Sequence, residues 1–94
     1  MNYKEPTKEY FEEVRFKTIS DFKWAINHGA EIEMEWKDKV YYITQPDGVI
    51  NIHEEDCWMD AKEYKTANEA LEFMVGEDRL GDVITKIKVW NRTI

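Results

Sequence analysis

Within five consecutive positions, His53-Glu54-Glu55-Asp56-Cys57 gathers an imidazole, three carboxylates and a thiol, the ligand types a zinc ion accepts. The spacing fits no metal loop. The chain has no second cysteine, no pair of histidines one helical turn apart and no calcium-loop pattern of alternating aspartates. Neighbouring residues of an extended segment also point to opposite faces, so the five cannot converge on one ion. The segment reads as a solvated acidic loop after a strand, and no metal or cofactor is expected. A metal-dependent activity at His53 and Cys57 ranks third among the functional readings.

Nucleophilic catalysis has less to work with. Ser20 is the only serine and falls in the first turn of a helix, where local hydrogen bonding explains it. Cys57 and His53 would pair only if their loop folded back on itself, and a lone cysteine beside Trp58 and Met59 reads as packing. His28 sits at the end of a helix, where the dipole favours a partly charged imidazole. Four scattered glycines build no phosphate loop. The chain is expected not to be an enzyme.

Charge is more informative. The 94 residues carry 20 acids and 13 bases, a net of −7. Residues 31–60 hold nine acids (Glu31, Glu33, Glu35, Asp38, Asp47, Glu54, Glu55, Asp56, Asp60) against Lys37 and Lys39, a net of 2 − 9 = −7. The remainder balances at 11 and 11. The excess argues against direct nucleic-acid binding, which needs lysine and arginine. Glu31, Glu33 and Glu35 alternate, so on a strand they share one face at about 6.5–7 Å spacing. That is close to the phosphate repeat of a nucleic-acid strand, and such a row suits a basic groove built for phosphates. The competing reading is a charged outer face that keeps the sheet from aggregating.

Four tryptophans stand out in so short a chain. Trp36 alternates onto the buried side of its strand. Trp24 lies about 200° from Phe22 around a helix, and Trp58 follows the acidic loop. Both are candidate anchors for a partner. Trp90 would alternate with Lys88 and Arg92 on a C-terminal strand.

These side chains need elements to hold them. Thr18-Ile19-Ser20-Asp21 opens a helix as a capping box with Asp as its acid, Ile19, Phe22 and Ile26 share its apolar face, and Gly29 ends it. Ile32, Met34 and Trp36 alternate with the glutamates as a strand. After the turn Lys37-Asp38-Lys39 comes a β-branched and aromatic strand, Val40–Thr44, with Tyr42 facing the core. Gln45-Pro46-Asp47-Gly48 is a turn, and Ile50 and Ile52 mark a third strand. Thr66-Ala67-Asn68-Glu69 opens a second helix, filled by Ala70, Leu71, Phe73 and Met74 and stopped by Gly76. Leu80, Val83, Ile84 and Ile87 suggest a third helix, and residues 88–91 a returning strand.

The pattern predicts an α+β fold, an antiparallel three- to four-stranded meander packed against two or three short helices. Residues 1–15 form an N-terminal arm or short helix and residues 16–94 a single domain. With one cysteine there is no disulfide. The N-terminus has no apolar core of a signal peptide and no run spans a membrane, so a cytoplasmic protein that does not engage membranes is expected.

Phe16-Lys17-Thr18 with Asp21-Phe22, then Gly29 with Glu31-Ile32-Glu33, then Lys39 with Tyr41 and Ile43, resembles a loose group of small uncharacterised proteins from Gram-positive bacteria, their phages and other mobile elements. The resemblance covers residues 16–90 and implies an intracellular α+β domain without assigned activity. Small acidic phage proteins include inhibitors of host nucleases, such as anti-CRISPR proteins, an analogy of kind only.

Two functions follow as expectations. The first is a non-catalytic acidic domain that binds a protein with a basic surface, such as the nucleic-acid groove of a host nuclease. Glu31, Glu33, Glu35, Glu54, Glu55 and Asp56 would supply the complementarity, and Trp24 or Trp58 the anchor. The second is a small regulatory or assembly domain, a homodimer formed through exposed aromatics or a sheet edge.

Overall fold

In the computed structural model, which describes residues 7–94, Thr7 caps a first helix, α1 (Lys8–Val14), by accepting from the Tyr10 N–H at 3.2 Å. Of the stretch expected as an arm or helix, residues 1–6 lie outside the described residues. Thr18 opens α2 (Ile19–Asn27): its hydroxyl accepts from the Asp21 N–H at 3.0 Å, and the Asp21 carboxylate reaches back to the Lys17 N–H at 3.4 Å. The helix ends in a Schellman arrangement. Gly29 takes φ +83°, the Ala30 N–H donates to the Ala25 carbonyl, and the Gly29 N–H donates to that of Ile26, both at 3.0 Å.

Four consecutive antiparallel strands follow: β1 (Ile32–Trp36), β2 (Lys39–Thr44), β3 (Ile50–Glu54) and β4 (Lys62–Tyr64). The β1–β2 connection is two residues long. Lys37 and Asp38 both adopt positive φ, +50° and +67°, the requirement of a type I′ turn, whose twist matches the strands it joins. After the full capping box at Thr66, helix α3 runs only from Ala67 to Ala70. The chain then extends through β5 (Met74–Val75) and β6 (Asp78–Arg79), a hairpin turning at Gly76 with φ +70°. A short α4 (Leu80–Val83) leads to β7 (Lys88–Arg92), which pairs antiparallel with β1 and bulges opposite Glu33 and Met34. The main sheet therefore has five strands in the order β4-β3-β2-β1-β7. The fold is α+β, as the alternation and caps predict.

One sheet face is the core. Ile32, Met34, Tyr41, Ile43, Ile50, Ile52 and Val89 point into it and meet Phe22, Ala25 and Ile26 of α2, Ala67 and Ala70 of α3, and Leu80, Val83, Ile84 and Ile87. Four expected core residues are placed differently. Tyr41, not Tyr42, is buried, because the register sets Met34 opposite Tyr41 and leaves Tyr42 on the other face. Met74 is 51% exposed because the helix stops at Ala70, the chain turns at Leu71 and Glu72, and β5 then sends Val75 inward and Met74 outward. Ile19, 42% exposed, begins α2 one turn ahead of its packed residues. Trp36 is half-buried at the core's rim, its indole N–H donating to Asp78 Oδ2 at 2.9 Å.

The opposite face carries α1 on its β7 side. Phe11 meets Trp90 edge-on at 5.2 Å between centroids, and Tyr10 donates its hydroxyl to the Trp90 carbonyl at 2.7 Å. Lys88 lies over both rings, 4.6 Å from Phe11 and 4.2 Å from Trp90. Among the described residues no helix is long and apolar enough to cross a membrane.

Candidate functional site

Strand alternation puts Glu33 and Glu35 of β1 on the sheet face away from the core, with Glu31 leading into it. Antiparallel pairing then fixes their neighbours. Glu33 faces Tyr42 on β2, and Tyr42 faces His53 on β3, so the three side chains form one row across the sheet. The Tyr42 hydroxyl donates to Glu55 Oε1 at 3.3 Å, and its ring tilts against His53 at 5.6 Å. Partial burial raises the Tyr42 hydroxyl above its ordinary value, helped by the negative charges of Glu33, Glu55 and Asp56. A shallow depression of about 180 Å³ opens here, lined by Glu31, Glu33, Tyr42, Thr44, Asn91 and Thr93.

The ion pairs lie elsewhere. Asp21, Glu54 and Asp78 pair with Arg92, Lys39 and Lys37, while Arg15 holds Glu12 and Arg79 holds Glu72 and Asp82. Among the described residues Glu31, Glu33, Glu35, Glu55 and Asp56 have no cationic partner within 4.0 Å. Glu35 is the member with a structural task, accepting the Trp90 indole N–H at 2.9 Å. The face thus sets these carboxylates beside the neutral side chains of Tyr42, Thr44, Asn91 and Thr93, with Lys88 on its β7 side, and its negative charge complements a lysine- and arginine-rich surface.

The eight residues expected at the site do not share this face. Glu31, Glu33, Glu35 and Glu55 do. Glu54 stands opposite Tyr41 on the core side and lies 3.8 Å from Lys39. Adjacent positions on a strand always diverge in this way. Asp56 turns the chain with φ +65°, and Trp58, 68% exposed, follows on a short 3-10 turn, Trp58–Asp60. Trp24 is 53% exposed on α2, the core-side layer, stacked on His28 at 4.0 Å. His28 Nδ1 lies 2.7 Å from the Trp24 carbonyl oxygen, so its contacts are within its own helix.

Sequence reasoning missed Tyr42 on this face because it placed that ring in the core. It also missed Asp78, which joins the β5–β6 hairpin to β1 through Trp36 and Lys37. His53 and Cys57 acquire no third ligand: among the described residues no three His, Cys, Asp or Glu side chains are grouped to hold a metal ion. No family model, curated protein or solved structure matches the chain.

Proposed function

We propose that this chain is a small non-catalytic protein-binding domain whose acidic outer sheet face docks on a basic protein surface. The surface it suits is one shaped for nucleic-acid phosphates, such as the groove of a host nuclease, which the domain would block. The observation that carries the reading is the set of carboxylates at Glu31, Glu33, Glu55 and Asp56, gathered around Tyr42 without cationic partners among the described residues. Carboxylates left without counter-charges repel one another, so their clustering costs stability that a basic partner would return. Trp58 follows directly on the same connection and serves as the apolar anchor in this reading.

The test is affinity capture from a nuclease-treated lysate of a Gram-positive bacterium. The expected result is a nucleic-acid-binding protein released by duplex DNA and by salt near 0.5 M, where the Debye length is only about 4 Å. The Glu31→Lys/Glu33→Lys/Glu55→Lys variant should lose it. Glu35 is left in place because it holds Trp90. Capture that survives both salt and charge reversal would sink the proposal.

Self-association is the second reading, favoured by the exposed Trp58 and Met59 and by the short edge strand β4. It requires a dimer that persists at high salt and dissociates in Trp58→Ala.

A further inference from the structure

Three of the large apolar side chains left in solvent belong to two neighbouring segments. Trp58 and Met59, the latter 81% exposed, stand on the 3-10 turn Trp58–Asp60, and Met74 stands on β5. Between Cys57 and Asp60, which flank Trp58 and Met59, and β5 lies a groove of about 200 Å³ beneath the end of β3, with His53 of the Tyr42 row at its margin. Its floor is the Tyr41 ring and Phe73, which meet edge-on at 5.9 Å, and Met74 forms a wall. Glu54 and Asp60 line the same groove. Apolar walls with carboxylates at the rim match a side chain that is aliphatic along its stem and cationic at its head.

The charges around the groove select the occupant. Glu54 has Lys39 only at 3.8 Å, and Asp60 has no ion pair among the described residues. Burial raises the Tyr41 hydroxyl, and the neighbouring Glu54 carboxylate adds a smaller share. A second copy meeting this groove with its own would bring the same acids against these. A cationic segment would be attracted. Arginine suits the site better than lysine, because its planar fork can bond two carboxylates at once.

We infer that the groove between the Trp58–Asp60 turn and the β5–β6 hairpin binds an arginine side chain of a partner protein, its methylenes against Tyr41, Phe73 and Met74 and its guanidinium between Glu54 and Asp60. The inference rests on the reading of the chain as a binder of basic proteins and names the group that one such partner would insert.

The probe is a short peptide with blocked termini, one arginine beside one leucine, in a glycine–serine background. Its counterparts carry citrulline or lysine instead of arginine. Binding is followed by backbone amide shifts at millimolar peptide. The arginine peptide should give saturable shifts confined to residues 53–60 and 73–76, with citrulline at least about tenfold weaker, the loss expected for charge-assisted hydrogen bonds. Asp60→Asn and Met74→Ala, both at exposed positions lining the groove, should each weaken binding several-fold, and the amide spectrum reports that each variant is folded. Glu31→Lys/Glu33→Lys should leave the peptide affinity within about twofold, because those residues lie across the sheet from the groove and are screened from it. Absence of saturable shifts, equal binding of the citrulline peptide, or shifts centred on residues 31–35 and 42 would overturn the inference. Those results leave the outer-face reading to its own capture experiment, so the two fail separately.

Discussion

The indole N–H of Trp90 donates to Glu35 Oε1 at 2.9 Å, which ties β7 to β1 across the outer face and gives one carboxylate of the acidic row a structural duty. The same indole is the seat of α1, through Phe11 edge-on at 5.2 Å and Tyr10 on its carbonyl. No residue of α1 is fully buried, so these contacts, with Arg15 donating to the Thr85 carbonyl at 3.3 Å and Val14 packed against the edge of the core, hold the helix on the sheet.

Trp90→Phe should therefore loosen α1 more than the core. The substitution keeps an aromatic surface but leaves the half-buried Glu35 without its donor, a loss of about 1–3 kcal/mol. Tyr10→Phe removes a single neutral bond and should cost about 1 kcal/mol. Urea denaturation gives the totals, and amide exchange locates them. Faster exchange in residues 8–14 with protection of β2 and β3 retained is the expected pattern. Uniform loss across the sheet would mean that α1 and the core are one cooperative unit.

Burial separates two residues that sequence periodicity treats alike. Met34 is fully buried at the middle of the sheet, so Met34→Ala should cost about 2–5 kcal/mol through lost burial and the cavity left behind. Ile19 is 42% exposed at the start of α2, and Ile19→Ala should cost no more than about 1 kcal/mol, well below the loss at Met34. Denaturant midpoints measured side by side decide the matter. Comparable losses would place Ile19 in the core after all.

The case of Tyr42 shows where the sequence was legible and where it was not. Alternation identified β1 and β2, and the caps at Thr18 and Thr66 were readable because each is a local hydrogen bond within one turn. The inward side of β2 depended instead on the length of the connection. A three-residue turn at Lys37-Asp38-Lys39 would set Met34 opposite Tyr42, whereas the actual two-residue turn sets it opposite Tyr41. One residue of slip inverts a whole strand. The signal was weak because a type I′ turn prefers asparagine or glycine, and here lysine and aspartate take the positive φ angles. The segment after Ala70 failed for a related reason. Leu71, Phe73 and Met74 fit a helix, but Leu71, Phe73 and Val75 alternate, and Gly76 turns a hairpin. The candidate site inherited the same ambiguity: Glu54 and Glu55 are adjacent in sequence and lie on opposite faces of the sheet.

Asp78 gives the fold an acid-sensitive tie. The Trp36 indole N–H and the Lys37 ammonium, at 2.9 and 3.0 Å, hold its carboxyl below the ordinary value of 3.8. A depressed folded-state pKa contributes stability that is fully present above the unfolded value. That contribution fades as pH falls from 3.8 through the lower folded value. Melting temperature followed downward from neutral pH should drop more steeply in this window for the wild type than for Asp78→Asn, which has no proton to gain there. Parallel curves for the two proteins would show that Asp78 does not contribute to the acid response.

Glu33 tests whether the outer face is arranged for stability or for a partner. It lies beside Tyr42, with Glu35 on the same strand, Glu31 just before it, and no cation within 4.0 Å among the described residues. Like charges spaced along one face repel, by a few tenths of a kcal/mol per close pair. Glu33→Gln should therefore raise stability by about 0.3–0.5 kcal/mol at low salt, and the gain should vanish near 1 M salt, where the Debye length is about 3 Å. The same variant should weaken capture of the basic partner. A gain in stability coupled to a loss in binding is the signature of a surface whose charge is kept for association. If Glu33→Gln is instead less stable at low salt, the carboxylate is supported by its own sheet, and the argument from unneutralised charge to a basic partner loses its footing.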